Sequence, residues 1–259
     1  RLVGARTVCF QAEARGIPPD RCDPVEGGEV IQAGPWVEVR VVRWHHSGDS
    51  TVAGRRLRAP MELSAPPTLA EAGGLRPGYL EDYPNGGGSR AYLISVETRG
   101  GPVHLFWSGT GNPLLWTETA RGDSAVLADA GVELEGLEWA VSDVPTRDQL
   151  AAAVRDAGIE EVDLWLGFGN SAHVRQVMQV VRPRAFAPQH WDDFWAPITV
   201  GVVEPYPGRA LPALLDEEGI TFVEPRQFFD RFSVSPTGVR ALDGAALRER
   251  LGVPPPPER

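Results

Sequence analysis

The residues of this sequence that could do chemistry are few enough to weigh one at a time. It contains five histidines, His45, His46, His104, His173 and His190. His45 and His46 close the valine-rich run "WVEVRVVRW", and His190 follows an apolar run in "RAFAPQHWDDFW". A histidine at the carboxyl end of a strand enters the loop layer, where the ligand sites of α/β folds gather. Neutral imidazole is the commonest zinc ligand and needs rigid presentation of this kind. These three are candidate metal ligands, set against the plainer reading that each is a satisfied polar residue. His104, inside the alternating "GPVHLFW", reads as structural, and His173, in "GNSAHVRQ", as part of a solvated helix start.

Other polar signals are weaker. Glycines in "SGTGN" could gather backbone N–H groups around an anion, but no helix clearly starts there and a plain turn is the better reading. Ser171 in "GFGNS" is misplaced for a G-x-S-x-G elbow, and no nucleophile–base pair is legible elsewhere. Asp192 is placed either to orient His190 through its second ring nitrogen or to cap a turn, and for Asp193 the turn is favoured. Trp191, Phe194 and Trp195 fit loop packing better than the wall of a substrate pocket, which stays open as the alternative.

Elements must hold these residues in place. "EVIQAG" and "WVEVRVVRW" predict two strands around a Gly-Pro turn, the second alternating Val37, Val39 and Val41 with Glu38 and Arg40. "AYLISVET" and "VHLFWS" predict a hairpin around "RGG". Beyond them, helices and strands alternate. "TRDQLAAAVRDAG" (N-cap Thr146), "SAHVRQVMQVV" and "GRALPALLDEEG" read as helices, and "EVDLWLGFG", "RAFAP" and a final "ITFVEP" as strands. The opening "RLVGARTVCF" reads as an apolar strand from the interior of a domain. Hairpins followed by β/α units place the chain in the α/β or α+β class. Residues 50–90, rich in Pro and Gly, read as an insertion or lid, and residues 252–259 as a mobile polyproline tail.

A chain of 259 residues allows one large domain or two modest ones. Its formal charge of −10, with arginine as the sole basic residue besides histidine, argues against a nucleic-acid partner, because no basic stripe exists to neutralise phosphates. The missing lysine points to a biased, bacterial-like genome. No apolar run approaches the roughly 20 residues that a membrane helix needs. Cys9 and Cys22 are either a disulfide, implying the periplasm or secretion, or two buried thiols, implying the cytoplasm.

The order of these pieces resembles the metallo-β-lactamase superfamily, in its branch of UlaG-like and N-acyl-phosphatidylethanolamine phospholipase D-like hydrolases. "EGGEVIQAGPWVEVRVVRWHHSGDS" is similar to the segment that delivers a metal-binding histidine there, with His46, or His45 one register away, in the ligand place. "VHLFWSGTGNP" is similar to the turn carrying that family's metal-bridging aspartate, and here Thr110 stands at that position. "EVDLWLGFGN", the helix after it and "VVRPRAFAPQHWDDFW" resemble the strand, helix and strand that supply the last histidine, placing His190. The resemblance spans most of residues 1–240. The family's H-x-H-x-D-H motif does not occur in the sequence, which resembles the part of the family chain that follows it.

The resemblance implies an αββα sandwich, mainly its C-terminal portion, as a single domain over residues 1–259. It implies a zinc-dependent hydrolase acting on a small molecule through an ester, amide, lactone or phosphodiester bond, with Asp192, Trp191, Phe194 and Trp195 near the pocket. Because a hydroxyl cannot bridge two zinc ions as a carboxylate does, Thr110 lowers the expectation from two ions to one or none. The alternative is a non-catalytic binding or scaffold protein on a degenerate version of the fold. A sandwich lacking its first half would leave Val3 and its neighbours on an open sheet edge, inviting association.

Overall fold

The computed structural model describes residues 2–14, 16–44, 50–52, 55–57, 61–63, 89–109, 137–139, 144–168, 171–189, 210–225 and 229–253. It is a mixed α/β protein whose largest sheet has seven strands. These are β3 (Val30–Gly34), β4 (Val37–Trp44), β8 (Ser89–Thr98), β9 (Gly101–Trp107), β11 (Leu164–Gly167), β12 (Ala185–Pro188) and β13 (Thr221–Phe222). Their spatial order is β13-β12-β11-β9-β8-β4-β3. The first four in sequence are two hairpins with two-residue turns. From β9 onward the neighbours β9–β11, β11–β12 and β12–β13 are all parallel, as β/α crossovers require. The chain divides into two compact units, with β3, β4 and β8 each shared between them. Among the described residues, no helix is long and apolar enough to cross a membrane.

The first unit comprises residues 1–31, 40–92 and 110–153. Here β1 (Leu2–Gly4) pairs in parallel with β2 (Cys22–Pro24), and α1 (Arg6–Ala14) lies between them in sequence. The expected strand over residues 1–10 is thus only three residues long. Ala5 O accepts the N–H groups of Val8 and Cys9, opening a helix that presents Cys9 to β2, and a Cys9–Cys22 disulfide joins the two elements. The apolar run that reads as strand is thus helical over Arg6–Ala14. The "EGGE" stretch also has a local cause. The Glu29 carboxylate accepts the backbone N–H groups of Glu26 at 2.6 Å and Gly27 at 2.8 Å. Gly27, at φ +122°, lies so close to Arg43 that a Cβ would stand 2.6 Å from its backbone nitrogen. This tightness anchors the approach to β4, where Val41, Val42 and Trp44 are buried. Two short antiparallel pairs, β5 (Ser50–Val52) with β6 (Arg55–Leu57) and β7 (Met61–Leu63) with β10 (Leu137–Trp139), are the described parts of the 50–90 insertion and the chain near 138.

The second unit comprises residues 32–39, 93–109 and 154–259. Between the units in sequence, α2 (Thr146–Asp156) opens with Pro145, not Thr146, as its cap, since Pro145 O accepts the first i→i−4 bond from Gln149. The helices α3 (Ser171–Val181) and α4 (Ala210–Glu217) follow the expected spans, and Gly219 at φ +70° ends the latter. His173 is fully buried, which corrects the solvated helix start. It precedes Val177 and Val181 by four and eight positions and so sits on the apolar stripe of α3. Nor is the strand at Thr221 the last. A hairpin, β14 (Arg231–Ser235) and β15 (Gly238–Leu242), follows, then a short α5 (Ala245–Arg250). Phe232, Val234 and Val239 of the hairpin pack on a buried cluster of Leu164, Ala185, Ala187 and Val223. Arg231, Arg240 and Ala241 are exposed and the other strand residues half-buried, and "RFSVS", which alternates Phe232 and Val234 with polar residues, carries a strand signal that the sequence reading did not take up.

Candidate functional site

Register within the second unit sets three successive rows of side chains on one sheet face. Phe106 pairs with Trp165 and Trp165 with Phe186, and side chains two residues apart share a face. The middle row is therefore Phe106, Trp165 and Phe186, all fully buried. Trp165 meets Phe186 edge-on with ring centroids 4.8 Å apart, and Phe106 at 6.1 Å.

The row towards the amino ends of the strands is polar. His104 donates its backbone N–H to Asp163 Oδ2 at 2.7 Å, and the other carboxylate oxygen of buried Asp163 takes the Arg184 guanidinium. Arg184 also donates to Pro236 O at 2.6 Å, tying in the β14–β15 hairpin. Ser95 Oγ lies 3.0 Å from His104 Nδ1. This is a serine–histidine pair that sequence reading did not find. Asp163 binds the backbone of His104 and not its ring, so it does not orient the imidazole as the third member of a catalytic triad would. Burial holds the His104 imidazole below its ordinary range, with Arg184 adding to the effect and Glu97 opposing it. The Asp163–Arg184 pair ties β9, β11 and the β14–β15 hairpin together. The charged residue within apolar "EVDLWLG" was its one sequence signal.

The row towards the carboxyl ends is small: Ser108, Gly167 and Pro188. Ser108 Oγ accepts the Trp165 indole N–H at 2.9 Å, and both residues are fully buried. A Cβ on Gly167 would fall inside the Trp165 indole and 2.8 Å from Phe186 Cε2, so the glycine is what admits the tryptophan. One residue further on, Gln189 donates its backbone N–H to Gly167 O at 2.7 Å and its side-chain Nε2 to Leu166 O at 2.9 Å. Gln189 Oε1 lies 3.6 Å from where a Cβ on Gly109 would stand. The residues immediately before Thr110 and His190 are thus brought together across β11.

His45, His46, Thr110, His190, Trp191, Asp192, Phe194 and Trp195 themselves lie outside the described residues. Trp44, one residue before His45, is buried at the end of β4. Among the described residues, no group of three or more His, Cys, Asp or Glu side chains is arranged to hold a metal ion. Comparison with family models, with curated proteins and with solved structures finds no match to this chain.

Proposed function

We propose that the protein is a zinc-dependent hydrolase of the metallo-β-lactamase type, acting on an ester, amide, lactone or phosphodiester of a small molecule. The observation that carries this reading is the adjacency of Gly109 and Gln189, each one peptide bond from a residue assigned to the centre. Parallel strands ending side by side are where α/β folds bind ligands. The donor chemistry fits one ion: His46, or His45, and His190 offer neutral imidazoles, whereas the Thr110 hydroxyl does not fit a bridged pair. When bound, zinc would lower the pKa of a water to about 7 and polarise the scissile carbonyl or phosphoryl oxygen. In this reading Asp192 orients His190, and Trp191, Phe194 and Trp195 line the apolar side of the pocket and exclude water. The αββα architecture belongs to the same proposal. The Cys9–Cys22 disulfide favours a periplasmic or secreted setting.

Elemental analysis of the full-length purified protein tests this. About one zinc per chain, lost in His190→Ala and in His46→Ala, is the expected result. Protein purified with zinc supplied that still carries no metal would sink it. Thr110 favours a second reading, a binding or scaffold protein on the same fold, and that outcome would leave it standing.

A further inference from the structure

We propose that a cavity at the amino ends of β12 and β13 binds a small zwitterion, a free amino acid with an apolar side chain, its carboxylate on Arg182 and its ammonium on Glu161. The proposal is independent of the zinc reading. The cavity holds about 500 Å³, within the usual range of small-molecule sites. Met178, Pro183 and Ile220 give it apolar surface, and Arg175, Arg182 and Arg184 bring three guanidinium groups to it. All of these residues belong to the second unit.

The backbone at Arg182 singles it out. Helix α3 ends at Val181, and the Arg182 N–H donates to Met178 O at 2.9 Å, so Arg182 turns the chain out of the helix. Its φ of +45° is in the left-handed region, which suits glycine and is costly for a residue with a side chain. Pro183, next in the chain, restricts it further. The neighbouring helices α2 and α4 meet the same need with Gly158 at φ +66° and Gly219 at φ +70°. Complementing the α3 dipole does not require this conformation, because a basic residue within the last helical turn would do as much. The strain has a use if the side chain holds a ligand.

Charge then selects the ligand. Arg175 pairs with Glu217 at 3.5 Å and Glu218 at 3.2 Å, and Arg184 is held by Asp163 and Pro236 O. Arg182 and Glu161 also line the cavity, and among the described residues neither has an ion-pair partner. One positive and one negative group are left over. The C-terminal ends of α3 and α4 border the cavity, and their partial negative charge adds to Glu161 in favouring an ammonium group. The guanidinium fork of Arg182 matches a carboxylate. A zwitterion satisfies both groups, whereas a simple anion would leave Glu161 opposing it.

The test is methyl NMR of the full-length protein labelled at its two methionines, Met61 and Met178, with L-phenylalanine as the probe. Met61→Leu identifies the Met178 signal, which phenylalanine is expected to shift saturably. Hydrocinnamate lacks the ammonium and phenethylamine the carboxylate, and each should bind about 10-fold more weakly. Arg182→Gln should weaken phenylalanine about 10-fold at an unchanged melting temperature. Arg182→Gly should weaken it equally while raising the melting temperature, because the left-handed backbone is relieved. Glu161→Gln should weaken phenylalanine but not hydrocinnamate. A Met178 signal that phenylalanine does not move saturably overturns the site. Equal affinity for phenylalanine and either singly charged analogue overturns the zwitterion. Phenylalanine bound equally by the parent and Arg182→Gln overturns the role of Arg182 and, with it, the proposal.

Discussion

Two buried residues in the second unit lend themselves to direct tests. Gly167 is required by its neighbours and not by its own backbone, since a Cβ would overlap the Trp165 indole and approach Phe186. Gly167→Ala should destabilise the protein by about 1–3 kcal/mol, the usual cost of overpacking, read as a lower denaturation midpoint. Burial lowers the pKa of His173 to about 4. With an unfolded value near 6.5, the unfolded chain binds the extra proton first as pH falls. Stability from the neutral imidazole is therefore full above about pH 6.5 and is lost between there and about pH 4, on the order of 3 kcal/mol. Urea denaturation across that window should show the slope, and His173→Gln should flatten it. His173 shows what sequence could have revealed, because its i+4 and i+8 partners are both valine. A helix start reads as solvated only when that stripe is ignored.

Among the elements, the α1–β2 staple carries a clear expectation. A disulfide closing a loop of this length contributes about 3 kcal/mol by restricting the unfolded chain. The Cys9→Ala, Cys22→Ala double variant should therefore lose about that much, and reductant should move the parent's melting transition towards the variant's while leaving the variant unchanged. Equal transitions for parent and variant would show that the pair contributes nothing. The β14–β15 hairpin is an element of a different kind. It covers the Leu164, Ala185, Ala187 and Val223 cluster with three half-buried side chains. Phe232→Ala should cost about 2 kcal/mol, less than for a fully buried phenylalanine. The hairpins and β/α units before it were legible because their apolar periods are clean. This one was legible too: "RFSVS" alternates Phe232 and Val234 with polar residues, and "PTG" supplies the turn.

For the molecule as a whole, charge sets the simplest expectation. With a formal charge of −10, the chain should show no binding to labelled duplex DNA by fluorescence anisotropy, even at low salt. Tight, salt-sensitive binding would overturn the exclusion of nucleic acid. Association is a separate matter. Leu2 and Val3 are exposed on β1, although β2 pairs with it on one side, so the open edge anticipated from sequence is reduced to a three-residue strand. The proposed site depends on residues far apart in sequence meeting at strand ends, and for Gly109 and Gln189 that meeting is a property of the fold alone.

By itself, the sequence determined the α/β class, the three helices between residues 146 and 217, the first two hairpins, the exclusion of an all-apolar span and the candidates His46 and His190. These follow from local causes: apolar period, turn residues, charge and side-chain chemistry. Tertiary structure alone decided that Cys9 and Cys22 are joined and that Gln189 reaches across β11 towards Gly109. Both depend on residues of separate elements meeting, thirteen positions apart for Cys9 and Cys22. Long-range pairing is set by sheet register and packing, and no local pattern encodes it.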